Sequence, residues 1–293
     1  MGYQHIDNLY KNMDILIFKE CYALEKVHGT SAHVRWKEGE ISFFSGGSKH
    51  ESFVALFDKD VLRAGFEAIG QDLVVVYGEA YGGKCQGMSG TYGKALCFTA
   101  FEVMIGDSWL VVPAAESLVV ERLGLEFMPY FRISTTLDAI NAERDADSVI
   151  AARRGMGSGH MREGVVLRPL VELKKSNGSR IVSKHKRDEF RETKTPREVD
   201  PEKMKVLADA QAIADEWVTD MRLAHVLDSL GGDIGMERTG DVLRAMVEDI
   251  TRESEGEAEI GKDARKAISR KTAAMFKTKL RRTMEAIAAA PPA

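Results

Sequence analysis

The stretch Glu25-Lys26-Val27-His28-Gly29 places a lysine in a tight loop directly after a predicted strand. A lysine is a nucleophile only as the free amine, and with a reference pKa near 10.4 roughly one in a thousand is deprotonated near neutral pH. Neighbouring cations, or a metal bound at nucleotide phosphates, lower that barrier. Downstream, in order, stand Tyr77-Gly78-Glu79, Phe98-Thr99-Ala100-Phe101-Glu102, Glu163-Gly164-Val165-Val166-Leu167-Arg168 and Lys184-His185-Lys186. Singly, each has an ordinary explanation. In this order they read as one site in which a lysine attacks a nucleotide, assembled by a fold.

The chemistry of each segment supports that reading. Gly29 removes a side chain where a phosphate has to approach. Glu79, read as following a strand, can accept bonds from ribose hydroxyls, although a solvated strand-end glutamate explains it as well. Phe98 and Phe101 fit core packing in an apolar strand, or one of them stacks on a purine. Glu163 opens a buried strand, where a carboxylate is costly unless it binds a cation or a hydrated metal. Lys184 and Lys186 are two apart, so on a strand they share a face, and two adjacent ammoniums repel unless they meet phosphates. The alternative for the pair is a solvated basic edge. Gly87-Met88-Ser89-Gly90-Thr91-Tyr92-Gly93-Lys94 is not a P-loop, because Met88 and Ala95 stand where glycine and Ser or Thr are needed.

A chain of 293 residues with 44% hydrophobic content can bury two cores. Its three cysteines, Cys21, Cys85 and Cys97, have no CxxC spacing, which argues against zinc and against a disulfide framework and makes a reducing cytoplasm the expected location. No apolar run is long enough to span a membrane, and Met1 to Tyr10 lacks the layout of a signal peptide. The net charge of −4 excludes coating of nucleic acid by bulk electrostatics but not a local basic groove. Such a groove is available in the basic run Lys262 to Arg282, which follows an acidic stretch from Glu248 to Glu259; paired helix faces of opposite sign are the plainer explanation.

From Cys21 to Lys186 the chain reads mainly as strands: a hairpin of Ser31–Trp36 and Ile41–Phe44, then Val74–Tyr77, Ala95–Met104, Trp109–Val112, Glu163–Leu167 and Arg180–Ser183. Ala114 to Leu123 takes a helical pattern. Beyond Thr195-Pro196 the pattern turns helical, with one helix from Asp200-Pro201 to Leu230, a second from Asp241 to Arg252 and a third from Ile260 to Ala288. This predicts an α+β domain with antiparallel sheets over residues 1–195 and a small all-α C-terminal domain over 196–293.

The five segments resemble the covalent nucleotidyltransferase superfamily of polynucleotide ligases and capping enzymes, whose ligase domain is ATP-grasp-like. The closest resemblance is to the RNA ligase branch that includes phage double-stranded-RNA ligases and RNA-editing ligases. Lys26-Val27-His28-Gly29 is typical of that branch, where DNA ligases and capping enzymes usually carry aspartate in place of His28. A helical continuation instead of an OB barrel is likewise the RNA ligase pattern. The resemblance implies ATP and Mg2+ (or Mn2+) as cofactors and RNA ends or nicked duplex RNA as substrate, with the chain acting as a monomer. It makes Lys26 the residue that forms a phosphoramide with AMP, with Glu25 positioning the adenine and His28 and Gly29 completing the nucleophile motif. Glu79 would bind the ribose, Phe101 would stack on the base, Glu163 would hold the metal through water, and Lys184 and Lys186 would grip the phosphates. One departure stands out: the family often has an arginine about twenty residues after the nucleophile, and here Ser45-Gly46-Gly47-Ser48-Lys49-His50 offers Lys49 as the substitute. A DNA nick ligase and a catalytically idle nucleotide- or RNA-end-binding module remain as alternatives, although binding alone has no need of a nucleophile.

Overall fold

The computed structural model describes residues 3–175, 177–190, 198–231 and 234–289. The chain forms two compact units, one of Met1–Ile15, Lys19–Lys174 and Gly178–Glu198, the other of Leu16–Phe18, Lys175–Asn177 and Val199–Ala293. The boundary expected between 195 and 196 falls within 191–197, outside the described residues.

The first unit is α+β, with two antiparallel sheets. The strands are β1 (Glu20–Lys26), β2 (Thr30–Lys37), β3 (Glu40–Ser45), β4 (Leu73–Gly82), β5 (Leu96–Ile105), β6 (Ser108–Trp109), β7 (Tyr130–Ser134), β8 (Gly164–Pro169) and β9 (Ser183–Lys186). One sheet runs β7-β1-β8-β9 and the other β3-β2-β4-β5-β6. The β2–β3 hairpin closes on Glu38 and Gly39, both left-handed at φ 49° and 86°, the conformation a tight two-residue turn requires. One hydrophobic core draws on Leu24 of β1, on Val27 just after it, and on Val34, Val76, Ala80, Phe98 and Val103 from the second sheet.

Helices α1 (His50–Val54), α2 (Lys59–Ile69), α3 (Ser89–Tyr92), α4 (Val112–Ser117), α5 (Leu137–Asp145) and α6 (Val149–Arg153) connect the strands. Only α2 has both ends well defined by local chemistry: Asp58 accepts from the Asp60 and Val61 N–H groups, and Gly70 closes it at φ 67°. Three local expectations need correcting. The strand predicted over Trp109–Val112 ends at Trp109, because Pro113 is favoured in a first helical turn and Val112 joins α4. The helix predicted over Ala114–Leu123 is α-helical only to Ser117, and Leu118–Arg122 continues as a π-helical turn. The strand predicted over Arg180–Ser183 lies further on, at Ser183–Lys186, so the two lysines are inside it.

In the second unit, α7 (Pro201–Trp217), α8 (Asp220–Leu230), α9 (Thr239–Glu253) and α10 (Lys262–Ala289) follow one another. The single helix expected from Pro201 to Leu230 is broken at Val218. Thr219 is extended there and its hydroxyl accepts from the Arg222 N–H, starting a new helix. Arg222 pairs with Asp249, and Lys271 reaches Asp215 at 3.1 Å, linking α10 to α7. Among the described residues no helix is long and apolar enough to cross a membrane.

Candidate active site

Strand register brings the charged residues together. Lys26 stands opposite Gly164, and Gly164 opposite Lys186, so three neighbouring strands present two lysines on either side of a glycine. Glu163, immediately before β8, lies between them. Its carboxylate is 3.0 Å from Lys26 Nζ, 2.8 Å from Lys186 Nζ and 3.2 Å from His28 Nδ1. Glu163 is 2% exposed, and burial alone pushes its pKa up; Lys26 and Lys186 outweigh this and hold it below the usual carboxylate range. The Glu163 N–H donates to the Lys26 carbonyl and the Arg187 N–H to the Glu163 carbonyl, which fixes the segment. Gly164 is obligatory: a Cβ there would sit 2.1 Å from the His185 carbonyl oxygen. His185, between the lysines in sequence, faces Asn141 and Arg144 instead, and burial lowers its pKa to about 4, so it is neutral.

The second sheet supplies the other wall. Glu79 lies inside β4, not after a strand as the sequence suggests, and accepts from the Gly29 N–H. Burial raises its pKa to about 7, against the pull of Lys26 and with the push of Glu163. Gly29 has a different reason from the one the sequence suggests: a Cβ would lie 2.4 Å from the Ala80 carbonyl, so glycine lets the loop pass close to β4. Phe101 sits at a bulge. The β4–β5 register passes from Tyr77 opposite Glu102 to Gly78 opposite Ala100, leaving Phe101 the extra residue. Core residues switch parity across it, from Phe98 and Ala100 to Val103. Alternation with Ala100 puts Phe101 on the cavity side with Glu79, and the bulge returns the next core position to Val103. Behind it, Glu102 is fully buried and held by Arg168 at 3.0 Å and by Arg180 at 2.9 Å.

A cavity of about 430 Å³ is lined by Glu25, Lys26, Ser31, Glu79, Phe101, Arg168 and Lys184 among others. Of the sequence-predicted residues, Glu163 adjoins it through Lys26, and Lys186 in turn through Glu163. The Glu25 carboxylate is largely committed elsewhere: it accepts from Ser148 Oγ at 2.5 Å and from the Val149 and Ile150 N–H groups at the start of α6. Burial raises its pKa despite those donors. Its oxygens retain lone pairs able to accept an exocyclic amine. Lys49 is exposed at the start of α1 and is not among the cavity's lining residues. The lining also includes Tyr3, Gln4, His5 and Ile6, which the sequence did not single out because nothing in a polar amino-terminal stretch marks them.

Among the described residues no group of three or more His, Cys, Asp or Glu side chains could enclose a metal ion. The buried Glu163 with Glu79 nearby fits a different mode, a hydrated divalent ion held by one or two carboxylates and by substrate phosphates.

The RNA ligase family model matches residues 19–186. The chain belongs to the RNA ligase family. The match spans every segment from the Lys26 loop to Lys186. Among solved structures, a lysine-to-alanine variant of the Naegleria gruberi RNA ligase with ATP and Mn is similar at 15% identity and a TM-score of 0.51, covering 65% of this chain and 56% of that one. The Naegleria gruberi RNA ligase with PPi is similar at 16% identity and a TM-score of 0.51, covering 65% and 57%. A third, a variant with AMP and Mn, stands at 14% identity and 0.51, covering 65% and 57%. At these identities the likeness is one of fold. The chain spans a little over half the length of those solved ligases. No curated protein sequence matches it.

Proposed function

We infer that the protein is an ATP-dependent RNA ligase that joins RNA 3′-hydroxyl and 5′-phosphate ends through a Lys26–AMP intermediate. The observation that carries this is the convergence of Lys26, Glu163 and Lys186 within 3.0 Å contacts beside a cavity lined by Glu79, Phe101 and Lys184. The Lys26 amine attacks the α-phosphorus of ATP, an N–P bond forms and pyrophosphate leaves. The RNA 5′-phosphate oxygen then displaces Lys26, giving a 5′-5′ pyrophosphate-linked adenylate, and the 3′-hydroxyl displaces AMP to form the phosphodiester.

Each side chain has a physical task in this scheme. Lys26 attacks as the free amine, so its nitrogen gives up a proton to solvent as the N–P bond forms and pyrophosphate leaves. Lys184 and Lys186 supply positive charge where the leaving pyrophosphate accumulates negative charge. Glu79 accepts from ribose hydroxyls, Phe101 stacks on the adenine and Glu25 accepts from its amine. A divalent ion beside Glu163 would neutralise phosphate charge. Beyond Lys26 little covalent chemistry falls to side chains, so catalysis is positioning and charge neutralisation. In this reading residues 1–195 form the adenylyltransferase domain, the helices from 196 onward contact RNA, and the protein works as a monomer.

The test is incubation with α-labelled ATP or GTP and a divalent ion, followed by denaturing electrophoresis, then addition of 5′-phosphate nicked RNA or DNA. Covalent AMP that Lys26→Ala abolishes, and sealing of RNA in preference to DNA, is the expected result. No covalent label with wild-type protein would refute the reading.

A further inference from the structure

A line of ring contacts leads from the cavity to the surface of the second sheet. Phe101, in the cavity lining, meets Tyr3 with centroids 5.0 Å apart, and Tyr3 meets Tyr77 at 5.2 Å. Tyr77 meets His33 at 5.7 Å, and His33 stacks on Phe44 at 5.1 Å with 21° between the ring planes. Tyr77 and His33 are buried, whereas Phe44, the last ring, is 45% exposed. Strand register explains the line. Ser31 stands opposite Glu79, His33 opposite both Phe44 and Tyr77, and Arg35 opposite Ser42, so these residues share one face of the sheet. The alternate residues Ala32, Val34 and Trp36 enter the core on the other face. Ser31 and Glu79 line the cavity, and His33 lies one two-residue step, about 7 Å, beyond Ser31. Burial lowers the His33 pKa to about 4, so the ring that backs Phe44 is neutral. One step further, Arg35 Nε donates to Ser42 Oγ at 3.1 Å. Among the described residues no carboxylate pairs with the Arg35 guanidinium, whereas Arg168 and Arg180 both hold Glu102.

We propose that Phe44 and Arg35 dock one unpaired nucleotide of the RNA strand beside its reacting end, the base stacking on Phe44 and a phosphate meeting Arg35. This rests on the RNA ligase reading of the cavity. A single exposed aromatic needs no explanation by itself, but here three observations coincide. The ring is already ordered against His33, so a base that stacks on it has little left to immobilise. An arginine fork with no acid partner stands one step away on the same face, where a phosphate adjoining that base would lie. The face continues without a break into the cavity through Ser31 and Glu79. An aromatic platform with a neighbouring cation is what single-stranded nucleic acid requires. Inside a duplex both faces of a base are already covered, so this patch takes an unpaired nucleotide. A second copy of the chain is a poorer occupant, since covering Arg35 without an acid would bury an uncompensated charge.

The test uses full-length wild type, Phe44→Ala, Phe44→Trp and Arg35→Gln, each first charged with ATP so that only protein carrying the covalent adenylate is compared. The divalent ion is then removed, so that binding is read without transfer. The probes are 5′-phosphate and 3′-hydroxyl RNA strands with 2-aminopurine at one of the three nucleotides nearest the end, single-stranded or annealed to a complement. Stacking on a ring quenches the fluorescence of this base. Wild type should quench it at one position in the single strand and not in the duplex. Phe44→Ala should lose the quench and about tenfold in affinity, and Phe44→Trp should restore both. Arg35→Gln should keep the quench but flatten the slope of log affinity against log salt by about 0.7. Quenching at no position, or equal quenching and affinity in wild type and Phe44→Ala, overturns this inference and leaves the ligase reading standing. A Phe44→Ala protein that cannot be charged gives Phe44 a structural role, and a wild-type dimer that Phe44→Ala dissolves gives the patch to a second copy; either result overturns it too. Wild type that cannot be charged overturns the ligase reading and this inference with it.

Discussion

Replacing Glu163 with glutamine tests the centre of the site. The carboxylate meets Lys186 at 2.8 Å and Lys26 at 3.0 Å. At an effective dielectric of about 20, each contact is worth roughly 5 kcal/mol of Coulomb attraction, offset by several kcal/mol for burying the carboxylate. Glutamine keeps the shape and removes the charge, and its amide N–H groups then face an ammonium. Lys26 and Lys186 are 22% and 12% exposed, so water recovers part of the loss. The expected cost is about 2–3 kcal/mol of stability, below the ~3–5 kcal/mol typical of a fully buried pair. For a chain of this size that lowers the melting temperature by roughly 4–10 °C. Self-labelling should fall by about a hundredfold or more, the usual effect of losing one preorganised charge-stabilising group. The assays are thermal melting and single-turnover AMP labelling of Glu163→Gln, Lys186→Met and the double variant. Because the two residues touch, the double variant should cost ~1–3 kcal/mol less than the sum of the single variants. A Glu163→Gln protein with wild-type melting and wild-type labelling would refute the assignment; lost stability with full labelling would reduce Glu163 to a structural counter-ion.

Glu79→Gln should alter the pH dependence of stability. The folded pKa is raised from 4.5 to about 7, so ionisation of Glu79 opposes folding, and the penalty grows from about pH 4.5 and is complete above pH 7. Denaturant melts should therefore show Glu79→Gln more stable than wild type by about 2–3 kcal/mol at pH 8 and little different at pH 4; equal stabilities at pH 8 would contradict it. If Lys184 meets the leaving pyrophosphate as proposed, Lys184→Ala should stay folded yet label far more slowly, and a near-normal rate would return Lys184 to a solvated strand edge. Arg180→Ala should leave Glu102 buried without its 2.9 Å partner and cost about 3–5 kcal/mol, read by urea melts. A cost below ~1 kcal/mol would show that Arg168 alone suffices.

Much of the site was legible because it depends on strand alternation. Lys184 and Lys186 share a face by the period of a strand, and Glu163 before an apolar run needed cations, which Lys26 and Lys186 provide. Phe101 was legible by its segment and by alternation with Ala100, but the return of Val103 to the core was not. An alternating strand would put it opposite the core face of Ala100, and only the bulge explains why Phe98, Ala100 and Val103 all point inward. A bulge depends on cross-strand register, which one strand's sequence does not carry. The same limit applies to Gly29 and Gly164, whose reasons are carbonyls of distant strands. The break at Val218–Thr219 had a local signal, a β-branched pair with a capping threonine, but the apolar period on either side hid it. Tyr3 had none at all, since its place is set only where its hydroxyl meets Glu102.

The helical unit offers the prediction furthest from the nucleotide. Lys271 reaches Asp215 at 3.1 Å and ties α10 to α7, so reversing its charge would disturb packing as well as any RNA contact. Lys279→Glu with Arg282→Glu avoids that ion pair. If the basic face of α10 meets RNA phosphates, each lost contact removes about one unit from the slope of log affinity against log salt. The double variant should then bind nicked duplex RNA more weakly, with a salt dependence flatter by about two. Self-adenylylation should keep its rate, because the residues that line the cavity assigned to ATP in the proposed function all lie before residue 190. Filter binding across a salt series, paired with AMP labelling, separates the two functions. A variant with an unchanged salt slope and unchanged nick sealing would assign the helices a task other than holding RNA. Slowed labelling with intact RNA binding would instead make them a support for the nucleotide site.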